Sequence, residues 1–271
     1  MTNLLPHLVD AHDWRFEPWL AEFRQSHVVE MAENLPIRRD IVTMIRYVQD
    51  HKVTGTKSTG NLPLKVIRDL APQFVDPPVL DERIGQNVYP LKSEYDVWPL
   101  YFRHILAQVG GLLETPKGAR WRVTPAGEAW LEADSNEQAL YLLHTWWYRV
   151  NWLIAWPVGG VGDALPRAFE DVTLARLLAI PVGRRVDYEP FADMLVQRTF
   201  LTWSTPDISY REEMLRGAIR KIVAQPAADL GVAALLTQEL GPPPMVPKLL
   251  AFRITAAGRV MLTALSFPAP L

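Results

Sequence analysis

Apolar residues recur with a helical period in several segments of the chain, and short polar stretches separate these segments. Within residues 36–50 the apolar positions follow Ile37 at intervals of four, seven, eight and eleven residues, which predicts an amphipathic helix. Pro36 suits the first turn of that helix. Residues 14–34 carry a less regular set of aromatic positions. They predict an N-terminal helical arm that spans residues 1–35.

The next hundred residues alternate between short polar strands and apolar helices. In chain order, the pattern predicts a short strand and turn over 52–60, a helix over 64–70 capped by Asn61, a loop insertion over 71–94, a third helix over 96–109, a hairpin over 112–123 and a helix over 125–132 capped by Thr124. The fold class is therefore α+β and mostly helical.

Two segments far apart in the chain repeat one pattern. Residues 121–131 and 252–262 are identical at five of eleven positions. In each, an aromatic and a β-branched residue predict a half-buried strand, and a threonine then caps a helix. Gly127 and Gly258 stand one turn inside those helices, where we expect a side chain to collide with a neighbour.

The elements before the second copy also match those before the first. They are a helix over 171–180, a strand over 184–188, a helix over 189–196, a third helix over 208–224 and strands over 232–237 and 252–254, with a proline-rich tip over 241–247. We therefore predict a structural repeat, with a first module over residues 36–133 and a second over 166–271.

The order of helix, short strand, two helices and hairpin resembles the winged helix-turn-helix superfamily. The residues that carry the resemblance are those of the hairpin, Gly111–Glu114, Lys117–Gly118 and Trp121–Gly127. The resemblance implies two winged-helix-like modules joined by a Trp-rich helix. It also implies that the third helix and the wing of each module contact DNA. The insertion before the first module's third helix departs from the compact pattern of the superfamily.

Residues 134–165 are predicted to form a connecting helix and linker. Four tryptophans lie at Trp146, Trp147, Trp152 and Trp156. Arg149 near the middle of this stretch disfavours a membrane span, because a central arginine costs about 2.5–3.5 kcal/mol on insertion. Two interpretations stay open, namely a helix buried between modules and a helix that joins two copies of the chain or binds a protein partner.

Composition narrows the chemistry. The 271 residues include no cysteine, which excludes disulfides, thiolate metal sites and thiol nucleophiles. The histidines show no metal-binding spacing, and no glycine-rich phosphate loop or nucleophile elbow occurs. We therefore expect no enzyme activity, no metal and no cofactor. Because no targeting segment is visible, we expect a cytoplasmic protein.

The charge is unevenly distributed along the chain. The net charge is −2, yet residues 36–69 hold seven basic and three acidic residues, a net +4 that leaves −6 for the remainder. Lys52, Lys57 and Lys65 lie among threonines and serines in this segment, which suits contacts with phosphate groups. The alternative is an ordinary solvated surface.

The predicted third helices differ as candidates for reading DNA. In the first, only Arg103, His104 and Gln108 are plausible contacts, and the apolar remainder is typical of a buried core helix, so this helix is a poor candidate. In the second, Arg216 and Arg220 stand four residues apart on one face.

Two further features bear on the candidate nucleic-acid contacts. Glu212 and Glu213, beside the second pair of arginines, would repel phosphate or form intrahelical pairs with them. The repeated arginines Arg122 and Arg253 are expected to point away from their buried aromatic neighbours, because side chains alternate along a strand.

Two functions remain open. The first is a DNA-binding, transcription-regulatory protein whose nucleic-acid contacts are Lys52, Lys57, Lys65, Arg122, Arg216, Arg220 and Arg253. The second is a protein-interaction scaffold or dimerisation module without nucleic-acid binding. The first is expected to bind double-stranded DNA, and the second a protein partner or a second copy through the Trp-rich helix.

Overall fold

The computed structural model describes residues 32–84, 87–155, 165–205, 207–239 and 247–266, without the side chains of 82–88 and 155. The chain is α+β and mostly helical, and a Trp-rich helix is present, as predicted. Most of the expected N-terminal arm, much of the linker and nearly all of the proline-rich tip lie outside the described residues.

The chain divides into two compact units. Unit 1 comprises Met1–Asp81 and Pro90–Thr145, and unit 2 comprises Glu82–Tyr89 and Trp146–Leu271. The division falls inside the predicted connecting helix. The expected module boundaries at residues 133 and 166 stay predictions.

The described elements that begin in the first half of the chain follow the predicted order. They are α1 (Pro36–Asp50), α2 (Leu64–Leu70), β1 (Glu82–Ile84), β2 (Asn87–Tyr89), α3 (Trp98–Val109), β3 (Leu113–Glu114), β4 (Arg122–Val123), α4 (Pro125–Glu132) and α5 (Ser135–Tyr148).

The described elements of the second half follow the order that the sequence predicts for residues 171–254. They are α6 (Phe169–Leu178), β5 (Val186–Asp187), α7 (Tyr188–Thr199), α8 (Ile208–Ile219), a π-helical turn (Arg220–Ala224), α9 (Gln225–Asp229), β6 (Ala233–Gln238), β7 (Lys248–Ile254) and α10 (Ala256–Ser266).

All described sheets are small and antiparallel. β1 pairs with β2, β3 pairs with β4, and β7 lies between β5 and β6. In unit 1 an isolated bridge between Thr54 and Arg120 adds the segment after α1 to the edge formed by β4. In unit 2, Val186 of β5 pairs with Phe252 of β7 in the corresponding place. Each unit thus sets its first short extended segment beside its last strand.

Local chemistry explains the helices of unit 1. The apolar stripe of α1 is buried, and the phenol of Tyr47 at its last turn donates a hydrogen bond of 2.5 Å to Asp69 of α2. The pKa of Tyr47 is raised to about 12, mainly because the phenol is buried and also because it donates this hydrogen bond. At α4 the side chain of Thr124 accepts the N–H of Gly127 at 2.9 Å, as the sequence predicted.

Three details of the prediction were wrong. The insertion over 71–94 contains the hairpin of β1 and β2, because three-residue strands are too short to show a period. Pro63, not Asn61, is the N-cap of α2, and Asn61 is buried. The third helix of unit 2 passes through the π-helical turn and continues as α9 to Asp229.

The predicted repeat is reproduced at the joint between the strands and the following helix in both units. The hydroxyl of Thr124 donates to Gly111 O at 2.5 Å, and that of Thr255 donates to Gly231 O at 2.8 Å. Gly258 N–H in turn donates to the Thr255 hydroxyl at 2.7 Å, as Gly127 does to Thr124. The same two hydrogen bonds of the threonine hydroxyl therefore connect strand and helix in each unit.

The glycines of this joint leave room for a carbonyl. A Cβ added at Gly127 would stand 2.2 Å from Leu112 O, and one at Gly258 would stand 1.9 Å from Val232 O. Real Cβ atoms do not approach a backbone oxygen so closely. The collision expected from the sequence is thus confirmed at both positions.

The tryptophans that begin unit 2 form a buried cluster. The rings of Trp146 and Trp152 stack at 5.4 Å between centroids, and Trp147 and Phe169 each contact Trp152 edge-on. The indole N–H of Trp152 donates to Trp146 O at 2.7 Å. Within the described parts of the chain, no helix has the length and apolar character that a membrane crossing requires.

Replacing the joint glycines tests this packing. We expect Gly127→Ala and Gly258→Ala each to lower the free energy of unfolding by about 2–4 kcal/mol, because a carbonyl must move. Gly183→Ala is the comparison. Its Cβ would meet nothing within 4 Å, but its φ is +74°, so we expect a loss of about 1 kcal/mol from backbone strain alone. Urea denaturation measures all three, and equal losses would contradict the carbonyl collision.

Candidate nucleic-acid interface

A small sheet in unit 1 brings two distant basic segments together. Trp121 N–H donates to Val53 O at 2.9 Å, and Gly55 N–H donates to Ala119 O at 3.0 Å, on either side of the Thr54–Arg120 bridge. The segment after α1 therefore runs along β4 and the turn that precedes it. Residues about 65 positions apart in the chain become neighbours on one sheet edge.

Two polar turns extend from this edge. Thr56 O accepts hydrogen bonds from Gly60 N–H at 3.0 Å and from Gly118 N–H at 3.1 Å, which ties the turn after Thr56 to the hairpin turn. Gly118 has φ +64°, and a Cβ there would stand 3.5 Å from Lys57 Cγ. Lys57 therefore lies against the hairpin turn, next to Lys117.

Five exposed cations surround these turns, and we call them the basic surface: Lys52, Lys57, Lys117, Arg120 and Arg122. Among the described residues, no acidic side chain lies within 4 Å of their charged groups. One acid, Glu114, stands opposite Arg122 in the pairing of β3 with β4. The basic surface thus consists of solvated cations without close ion partners.

Two of these cations stand near one end of the sheet edge. The hydrogen bond from Trp121 N–H to Val53 O ends the described ladder, because Val53 N–H turns back to His51 O at 3.0 Å. Lys52 precedes Val53 and Arg122 follows Trp121, so the two cations flank the end of that ladder. Lys52 therefore brings a second positive charge toward Arg122, and like charges repel. A bound anion would relieve this repulsion.

A buried polar cluster holds the turn in place from below. Glu94, 1% exposed, accepts Leu62 N–H at 2.7 Å and lies 2.9 Å from His104 Nδ1. The indole N–H of Trp121 donates to Gly60 O at 3.0 Å, and its ring lies 4.4 Å from the His104 ring. The cluster therefore anchors the chain just after the turn that carries Lys57.

Helix α3 is enclosed and cannot read base edges. All eight residues from Leu100 to Ala107 are buried. Arg103 donates to Asp40 of α1 at 2.7 Å through Nε and lies over the Phe74 ring, while Asp40 also accepts Val75 N–H at 2.7 Å. Arg103 and His104, two of the three polar residues that the sequence left as plausible contacts, are both bonded to buried carboxylates, whereas the third, Gln108, is exposed.

The predicted contacts on the third helix of unit 2 are partly occupied. Arg216 makes a two-pronged ion pair with Asp193 of α7, at 2.7 and 2.8 Å. The hydrogen bond to Asp193 raises the pKa of Arg216. The expected intrahelical partners Glu212 and Glu213 are exposed, and the charge of Glu212 adds a smaller contribution that also raises the pKa of Arg216. Arg220 lies half-buried at the start of the π-helical turn.

The structure therefore places only some of the seven predicted contacts together. Lys52, Lys57 and Arg122 meet in the basic surface of unit 1. Lys65 is exposed on the first turn of α2, and none of the described hydrogen bonds joins it to that surface. Arg253 is exposed on β7 in unit 2 and points away from the buried Phe252, as strand alternation predicted.

Lys117 and Arg120 were missed by sequence reasoning, although a signal was present. Lys117 stands in the predicted hairpin turn, and Arg120 precedes Arg122 by two positions, so strand alternation puts both arginines on one face. The sequence pattern places each of these residues only within its own element. The cross-strand arrangement that joins them to Lys52 depends on a pairing that the sequence pattern did not specify.

The Trp-rich helix buries the rings that were expected to contact a partner. Trp146, Trp147 and Trp152 are at most 5% exposed, so a partner cannot reach these rings without opening their cluster.

In the described residues, no group of three or more histidine or acidic side chains is placed to hold a metal ion. Comparison with protein-family models, with curated proteins and with solved structures finds no match to this chain.

The buried ion pair that encloses α3 gives a stability prediction. We expect Arg103→Met to cost about 3–5 kcal/mol of unfolding free energy, because it leaves the Asp40 carboxylate buried without its ion partner. The double variant Asp40→Leu with Arg103→Met should be more stable than that single variant, since no charge remains. Urea denaturation checks both, and a double variant weaker than Arg103→Met would contradict the explanation.

Proposed function

We propose that this protein binds double-stranded DNA through the phosphate backbone, using the basic surface of unit 1. The observation that supports the proposal is the set of five exposed cations gathered on one sheet edge and its turns, without close ion partners among the described residues. Lysine and arginine at such positions bind phosphate oxygens and release condensed counterions.

The burial of α3 defines the kind of binding. In winged-helix proteins the third helix enters the major groove, but in unit 1 every residue of this helix from Leu100 to Ala107 is buried. Binding through unit 1 is therefore insensitive to base sequence and rests on backbone contacts. The resemblance to winged-helix proteins extends the proposal to regulation of transcription, with any base reading left to other parts of the chain.

Salt dependence tests the proposal. Fluorescence anisotropy with a labelled DNA duplex should show binding near 50 mM NaCl, with log K falling linearly as log salt rises and a slope of about −0.9 per phosphate contact. We expect the variant Lys52→Gln, Lys57→Gln, Arg122→Gln to reduce the magnitude of that slope by about 2–3.

A matched variant removes the effect of net charge. Arg39→Gln with Arg46→Gln and Lys92→Gln neutralises three exposed cations that lie outside the basic surface, as many as the first variant removes. This variant should keep nearly the slope of the unaltered protein. Two results would refute the proposal, namely no binding of the unaltered protein at low salt or equal slopes for the two variants.

One observation favours the second candidate function, a protein-interaction module. Phe200, directly after α7, has φ +57° and is 83% exposed. The left-handed conformation costs a side chain about 1–2 kcal/mol relative to glycine, and this ring gains almost no burial in return. A ring held in this way is suited to contact another protein.

Two substitutions separate the strain from the ring. We expect Phe200→Gly to raise the free energy of unfolding by up to about 1 kcal/mol, and Phe200→Ala to leave it nearly unchanged, because alanine keeps the backbone strain. Urea denaturation measures both. If the ring docks a second copy, sedimentation velocity should show association that both substitutions abolish. A purely monomeric unaltered protein would exclude that docking.

A further inference from the structure

The joint shared by the two units allows their sheet edges to be superposed residue by residue. Thr124 corresponds to Thr255, so Trp121 and Arg122 of unit 1 correspond to Phe252 and Arg253 of unit 2. In unit 1 the Trp121 N–H bonds to Val53 O, and in unit 2 Phe252 pairs with Val186. Val53 and Val186 therefore occupy equivalent positions.

The residue before each of these valines is basic. Lys52 precedes Val53, and Arg185 precedes Val186. The Val186–Phe252 register, continued by one residue, places Arg185 beside Arg253, and in unit 1 Lys52 and Arg122 likewise flank the hydrogen bond between Val53 and Trp121. Gly183 N–H donates to Ile254 O at 3.0 Å, which keeps the segment before β5 alongside β7. Both units thus set two cations beside the same end of a sheet edge.

From this equivalence we infer that Arg185 and Arg253 form a second phosphate-binding site for duplex DNA, the counterpart in unit 2 of the Lys52–Arg122 pair. The inference rests on the proposed function. It assigns the phosphate contact of unit 2 to the sheet edge, whereas the third helix of that unit was expected to provide it. The exposed Arg184 lies next to this pair and adds a further cation.

The surroundings of the pair suit an anion. Arg185 and Arg253 are exposed, and the neighbour of Arg253 on its other side is Ala234, where Arg122 has Glu114. Asp187 lies 3.3 Å from Arg185 Nε, and both side chains are more than 60% exposed, so water screens that contact. Glu189 is paired with Lys248 at 3.0 Å.

Arginine suits this position chemically. Two like charges opposite each other on adjacent strands repel, so the empty edge is less stable than one with neutral residues. A phosphate between them removes the repulsion and accepts hydrogen bonds from both guanidinium groups. That this arrangement recurs at equivalent positions of both units argues that each edge binds the same kind of group.

Salt-dependent DNA binding by the full chain tests the inference. Anisotropy with the same labelled duplex compares the unaltered protein with Arg185→Gln, Arg253→Gln and with a control, Arg167→Gln, Arg198→Gln, which removes two other exposed arginines of unit 2. We expect the first variant to reduce the magnitude of the salt slope by about 2 and the control to leave it nearly unchanged.

The outcomes separate this inference from the proposed function. If Lys52→Gln with Arg122→Gln weakens binding while Arg185→Gln with Arg253→Gln matches the control, the second site is refuted and the proposed function stands. If only the unit 2 pair matters, the second site stands without the surface of unit 1. If the unaltered chain does not bind the duplex near 50 mM NaCl, both are refuted.

Thermal melting followed by circular dichroism excludes a merely structural role. Replacing one or both of two opposed arginines relieves repulsion, so the Arg185→Gln, Arg253→Gln variant should melt no lower than the unaltered protein. A marked fall in its melting temperature would show that the two arginines support the fold, and would overturn the assignment of a phosphate site.

Discussion

The close approach of a backbone carbonyl to a helix is the constraint from which the sheet edges of both units follow. Leu112 O and Val232 O occupy the space where residues 127 and 258 would carry a side chain. This contact seats the first turn of the helix directly against the hairpin. Because the last strand leads into that helix through the capping threonine, the contact also determines which of its residues face outward. Arg122 and Arg253 are exposed as a result.

A second buried interaction makes the two units different. In unit 1 the pair of Asp40 and Arg103 joins α1, α3 and the insertion after Phe74, while Glu94 and His104 join the same insertion to the turn before α2. These contacts enclose α3 and leave the sheet edge as the exposed basic feature. In unit 2 the joint aligns Arg103 with Val223, and the ion pair of the third helix, Arg216 with Asp193, is about one third exposed. The two copies of one arrangement thus differ in what they leave exposed.

The sequence pattern predicted the elements well because their signals are local. Periodicity, proline in a first turn, the capping threonines and the joint glycines each act within about ten residues. The contacts that decide which side chains are free depend on distant pairs, such as Asp40 with Arg103 across 63 positions. A lone arginine on an apolar helix looks the same in sequence whether it binds a phosphate or a buried carboxylate. The candidate surface was therefore only half predictable, through Lys52, Lys57 and Arg122.

The two units also differ in how the edge segment continues into the next helix. In unit 2, Asp187 leads directly into α7, whereas unit 1 inserts the residues from Gly55 to Pro63 before α2. Closing a loop of this size costs little chain entropy, and that cost grows slowly with length. The turn is therefore a place where residues can be added, removed or recharged without disturbing the joint beneath it. The number of charges on this surface can therefore change while the free energy of folding stays almost constant.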